Sequence, residues 1–132
     1  MVQRRYVEEF GGGSTHEPIS FLKMVGMVLD APEYTLADKR DFMKGSQFSL
    51  RAMWPQLIAT DLAEAVPEVK VPVVVMHGRH DMTTPYPLAV QYFENLIAPD
   101  KHFYTFEDSA HGVIFEEPIR FNDLVREHAI GN

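Results

Sequence analysis

Apolar positions change their spacing near Pro67. Before it they recur at helical intervals; after it they run together in two short stretches separated by one more helical stripe. In the first half Phe21, Met24, Val25 and Val28 follow an i, i+3, i+4, i+7 pattern, with Leu22 and Leu29 widening the stripe until Lys23 is almost all that remains of a polar face. Ser14-Thr15-His16-Glu17 just upstream has the form of a capping box and predicts a helix after it. Thr35 with Asp38 repeats that signal. Phe42, Met43, Leu50, Met53, Trp54 and Leu57 then mark one long helix, or two meeting near Gly45-Ser46, with Pro55 expected to kink or end it. A short helical turn is expected over 61–66.

In the second half, Val69-Lys70-Val71-Pro72-Val73-Val74-Val75-Met76 is β-branched with hardly any alternation, as in a strand buried on both faces. Gly78 closes it. Thr84-Pro85 offers a cap and a first helical residue for a stripe of Ala89, Tyr92, Phe93, Leu96 and Ile97. After Pro99-Asp100, residues 102–106 suit a second strand, and Phe121, Leu124, Val125 and His128 form a last stripe. The order strand, helix, strand, helix implies an α/β architecture with two parallel strands. The expected division is 1–68, a helical cap-like segment, and 69–132, the strand-bearing part.

Length and charge narrow the function. At 132 residues the chain is about one domain. Its formal charge of −7 gives no general attraction to phosphate polyanions or anionic lipid, so neither nucleic acid nor membrane is an expected partner. The chain lacks cysteine, which removes disulfides, thiolate metal sites and a cysteine nucleophile, and permits a reduced cytoplasmic setting. No apolar run reaches the ~18 residues of a membrane span, and the first residues do not read as a signal region.

Chemistry is concentrated in two loops, His77-Gly78-Arg79-His80-Asp81 and Asp108-Ser109-Ala110-His111-Gly112. Each follows the carboxyl end of a predicted strand, where open α/β sheets place their ligands. Parallel neighbours bring such loops together, so Asp81 and His111 are expected side by side. A carboxylate accepting from one ring nitrogen fixes the imidazole tautomer and leaves the other nitrogen free to take a proton from a hydroxyl.

These segments, from Val71 to Pro85, then Phe106 to His111, then Phe115-Glu116-Glu117-Pro118, resemble the carboxyl-terminal end of the α/β-hydrolases, most of all the proline-iminopeptidase-like branch. Residues 69 to about 127 carry the likeness; residues 1–68 are similar only in character to the helical cap of those enzymes. The resemblance implies that Asp81 is the acid and His111 the base of a Ser-His-Asp triad, acting on an ester or an aminoacyl or peptide bond without metal or organic cofactor. The family's Gly-x-Ser-x-Gly turn and the strands that precede it have no counterpart here. The chain therefore reads as a hydrolase fragment, inactive alone, with a non-enzymatic interaction module as the alternative.

Other residues receive plainer readings. Ser14 suits a helix cap and Ser109 a turn, and Ser20, Ser46 and Ser49 fall in predicted helices, so none is expected to be a nucleophile. His77, His80, Asp81 and His111 also form a possible metal cluster, a third reading. His77 is otherwise expected to satisfy a backbone carbonyl, and Arg79 and His80 to be solvated; His16, His102 and His128 show no constellation. Met24, Met27, Met43 and Met53 are expected in core packing rather than lining an acyl cavity. Glu116 and Glu117 complement a helix dipole. With no strand to cover it, the Val-rich edge of the first strand is expected to be covered by a second copy of the chain, by the cap helices or by a separate amino-terminal half.

Overall fold

The computed structural model describes Val7 and residues 11–130. Two compact units make it up: Ser20–Ala65, and a second built from 66–130 together with 11–19. The glycine-rich stretch before residue 20 thus groups with the strands, although the sequence pattern placed it with the helical segment.

The first unit is helical. Helix α1 spans Phe21–Asp30, α2 spans Leu36–Ala59 and α3 spans Leu62–Ala65. The Thr35 box forms as its sequence predicts: Thr35 Oγ1 accepts from Asp38 N–H at 3.2 Å, and Asp38 Oδ2 accepts from Thr35 N–H at 2.9 Å. The Thr35 hydroxyl, and then its backbone N–H, hold the Asp38 carboxyl below its ordinary pKa. Replacing Thr35 by alanine is expected to cost about 1 kcal/mol of helix stability, visible as lower helicity at 222 nm on warming; unchanged helicity would show that the box is incidental.

Around this unit two expectations change, the Ser14 cap and the methionine packing, and two open ones are narrowed. The Ser14 box does not start a helix. Pro18 disfavours helical backbone at Glu17, and the cap moves to Ser20, whose Oγ accepts from Lys23 N–H at 3.2 Å. Of the two arrangements expected, the single long helix forms, α2 passing through Gly45-Ser46 without interruption, and Pro55 does not end it, since helix continues to Ala59. A proline there removes one donor without ending the helix when the next turn holds; beyond it, Thr60 Oγ1 donates to the Gln56 carbonyl at 2.8 Å. Met27 and Met53 are 61% and 65% exposed, so they are not core packing. The Met24 and Met43 side chains, like Phe21 of the predicted stripe, lie outside the described residues.

The second unit holds strand β1, Val73–Gly78, and strand β2, Lys101–Phe106, paired in parallel from Val73 opposite Lys101 to Gly78 opposite Phe106. Between them runs α4, Tyr86–Asn95, and after them α5, Val113–Glu116, α6, Pro118–Val125, and a π-turn, Arg126–Ile130. The strand begins later than the apolar run because Pro72 has no N–H for a ladder. Upstream, Glu68 and Ile97 form an isolated parallel bridge, with Val69 N–H donating to the Ile97 carbonyl at 2.9 Å. With β2 its one partner strand among the described residues, β1 is half-buried from Val73 to His77, and only its Gly78 is fully enclosed. Lys101 ties the crossover down: its ammonium donates to the carbonyls of Phe93, Glu94 and Leu96 at the carboxyl end of α4. The tightest packing gathers at the carboxyl ends of the strands, where Phe106, Ser109 and Ala110 are wholly buried and Val113 nearly so.

Candidate functional site

The two loops predicted to carry chemistry are knitted together by main-chain bonds at that end of the sheet. Arg79 N–H donates to the Phe106 carbonyl at 2.8 Å and His80 N–H to the Ser109 carbonyl at 3.0 Å. Gly78 lies so close to the second loop that a Cβ on it would stand 1.9 Å from the Ala110 oxygen. Outside, Arg79 and Glu107 join the residues just after β1 and β2 through two 2.9 Å bonds, so Arg79 is paired rather than free in solvent. This pair raises the Arg79 pKa and lowers that of Glu107.

Asp81 is 3% exposed and its carboxylate is fully used. Its Oδ1 accepts from the N–H groups of Thr83 and Thr84 at 2.8 and 2.9 Å. Its Oδ2 accepts from the Thr84 hydroxyl at 2.8 Å and faces His111 Nδ1 at 2.8 Å. Burial pushes the carboxyl pKa up, but the donors from Thr84, His111 and Thr83 outweigh it and hold Asp81 below the ordinary carboxylate range. An ionised carboxylate only accepts, so Nδ1 of His111 carries a proton, and in the neutral ring it is Nε2 that holds the lone pair. The His111 side chain is 51% exposed. Its Nε2 takes no partner among the described residues, which leaves it open to a reacting group.

Thr84 was expected to cap α4. Instead its hydroxyl turns back to Asp81, and α4 begins after Pro85 without a side-chain cap. Helix-start and turn chemistry share the same residue types, so sequence alone could not separate the two uses. The other histidines take separate duties. His77 Nδ1 donates to the Gly78 carbonyl at 3.0 Å, as expected, and its Nε2 lies 3.7 Å from Asp81 Oδ2. The His80 ring stacks on that of His16 at 3.8 Å, so it is not simply solvated. Among the described residues no group of three or more His, Asp or Glu could hold a metal ion, and the metal-cluster reading is set aside. On the opposite face of β2, Tyr104 hydroxyl meets His128 Nε2 at 2.7 Å, and the rings of His102 and His128 lie 4.7 Å apart.

Residues 11–16, which carried no predicted role beyond a cap, complete the site. The Gly12 carbonyl accepts from Met82 N–H at 2.8 Å and the Gly13 carbonyl from His111 N–H at 3.3 Å. Gly11 and Gly12 sit at positive φ, 74° and 111°, where a side chain would be strained; a Cβ at Gly12 would also stand 2.7 Å from the His80 carbonyl. Ser109, read as a turn residue, donates through its hydroxyl to Glu117 at 2.7 Å. Glu116 is likewise engaged by main-chain donors instead of serving only a helix dipole.

Among known proteins, the chain is 33% identical over 129 residues to the probable aminopeptidase YbaC of Bacillus subtilis (strain 168), covering 98% of this chain and 41% of that protein. The AB hydrolase superfamily protein YisY of the same organism is 28% identical over 67 residues, 51% of this chain and 24% of its own. Of solved structures, an esterase (EaEST) from Exiguobacterium antarcticum aligns with a TM-score of 0.46 and 28% identity, over 52% of this chain and 25% of that one. No family profile matches the chain. The chain spans less than half the length of these relatives. Over part of its length, the chain is related to the α/β-hydrolases.

Proposed function

We propose that the chain supplies the acid and the base of a serine hydrolase, with Asp81 orienting His111 for hydrolysis of an ester or an aminoacyl or peptide bond. One observation carries the reading: a buried, four-fold bonded carboxylate stands 2.8 Å from Nδ1 of a half-exposed imidazole. In this scheme a serine hydroxyl gives its proton to His111 Nε2 as its oxygen attacks the substrate carbonyl. The imidazolium is stabilised by Asp81, then passes the proton to the departing amine or alcohol. Water, deprotonated by the same nitrogen, releases the acyl group and restores the serine.

The serine is placed outside this sequence, which has no Gly-x-Ser-x-Gly turn. Its partner is a strand-bearing polypeptide pairing along the free edge of β1, which has β2 on one side alone among the described residues. The setting is cytoplasmic. Consistent with that, no described helix is long and apolar enough to cross a membrane.

The test measures turnover of aminoacyl-arylamides and aryl esters, and fluorophosphonate labelling, for the chain alone and mixed with the part of the YbaC relative outside the aligned stretch. Turnover that appears on mixing, and disappears with His111→Ala, supports the reading. No turnover in the mixture, with light scattering showing only a dimer of this chain across β1, would favour an interaction module instead.

A further inference from the structure

Glu116 closes a ring of bonds around the base. Its Oε2 accepts from Ala110 N–H at 2.8 Å, and its Oε1 accepts from His16 N–H at 2.5 Å. Ala110 directly precedes His111 and is wholly buried, so its N–H has no access to water and needs a protein acceptor. His16 belongs to the glycine-rich segment whose Gly13 carbonyl receives His111 N–H. The two donors come from segments about a hundred positions apart in the chain, and one side chain holds both. The start of α5 adds to this: at Gly112 a Cβ would stand 2.6 Å from the Ser14 carbonyl, so the segment is seated directly on the base loop.

We infer that Glu116 is a positioning residue for His111: it fixes the backbone just before His111 and the glycine-rich segment that accepts from the N–H groups of His111 and Met82, and thereby sets where Nε2 points. Glu117 does a lesser part of the same work, accepting from the Ser109 hydroxyl while Arg120 stands 3.6 Å from it. A carboxylate suits Glu116 because it offers two acceptor oxygens and no donor. A glutamine in its place keeps one acceptor and turns an NH2 toward the other N–H.

The inference rests on the proposed role of His111, and its test separates the two. In the isotope-labelled full chain, the His111 ring-nitrogen shifts report the tautomer, and amide exchange reports the hold on Ala110. The parent is expected to show the Nδ1–H tautomer, with Asp81→Asn abolishing it. Glu116→Ala is expected to speed Ala110 exchange at least about tenfold and to mix the His111 tautomers, with Glu116→Gln intermediate in both. A purely structural glutamate would lower the melting temperature and leave the tautomer of the folded protein alone. Unchanged His111 shifts in folded Glu116→Ala would overturn the inference, and the same criterion applies to Glu116→Gln if the alanine variant does not fold. A parent without the Nδ1–H tautomer would instead overturn the Asp81–His111 reading.

Discussion

Gly78→Ala is expected to unfold the strand-bearing unit, or to leave it molten, at temperatures where the parent is folded. The backbone conformation at Gly78 is ordinary, with φ outside the left-handed region, so the effect is steric. A Cβ there meets three backbone atoms: the Ala110 oxygen at 1.9 Å, the Ser109 oxygen at 2.4 Å and the Ala110 carbon at 2.7 Å. Flexible side chains can turn away from such an intrusion, but main chain cannot. The obstructed loop is also pinned: His80 N–H bonds the Ser109 carbonyl, Glu116 holds Ala110, and both Ser109 and Ala110 are wholly buried. Overpacking against a yielding core costs about 1–3 kcal/mol, and a rigid obstacle places this substitution at or above the top of that range. For a unit of this size the loss corresponds to a fall in melting temperature of roughly 10 °C or more. A Gly78→Ala protein melting within a degree or two of the parent would show that the two loops are less tightly apposed than the structure places them.

How far the site could be read from the sequence follows from the range over which each interaction acts. The Asp81–His111 juxtaposition was legible because each residue follows a strand-like run, β-branched before Asp81 and aromatic-rich before His111, and parallel pairing brings the ends of such runs together whatever lies between. The Thr35–Asp38 box was legible because both partners sit within one helical turn. The similar Ser14–Glu17 pattern misled for a physical reason: Gly12 and Gly13 carbonyls and His16 N–H are drawn to Met82, His111 and Glu116, partners about seventy to a hundred positions away that no local window contains. Thr84 and Glu116 were assigned to helix ends because those are the uses their neighbours allow, while the buried groups that claimed them, Asp81 and Ala110, lie in loops. The first strand starts four residues later than its apolar run, and that Val-rich run implied cover on both faces; only half-burial is seen, because β2 is its one neighbouring strand among the described residues.

Asp81→Asn is expected to keep the fold and lose the base. The amide oxygen of the new side chain can stay on the N–H groups of Thr83 and Thr84, where Oδ1 now sits. Its NH2 then takes the place of Oδ2, facing the Thr84 hydroxyl, which can accept instead of donate, and Nδ1 of His111. A donor facing Nδ1 requires Nδ1 to accept, so the ring proton moves to Nε2 and the lone pair that would receive the serine proton is gone. In the proposed assembly with a serine-bearing partner, turnover should fall by about 10⁴-fold, the scale seen when a triad carboxylate is replaced by its amide, with much less effect on substrate binding. Stability should carry a matching signature in acid. Because the folded-state pKa of Asp81 is lowered, its stabilising contribution is fully present above the unfolded-state value of about 3.9 and is lost as pH falls through the folded value. The parent's advantage over Asp81→Asn should therefore shrink below about pH 4. Melting curves of the two proteins from neutral to acid pH measure it, and a stability difference independent of pH would mean that Asp81 is not held ionised by Thr83, Thr84 and His111, leaving the imidazole without the partner that selects its tautomer.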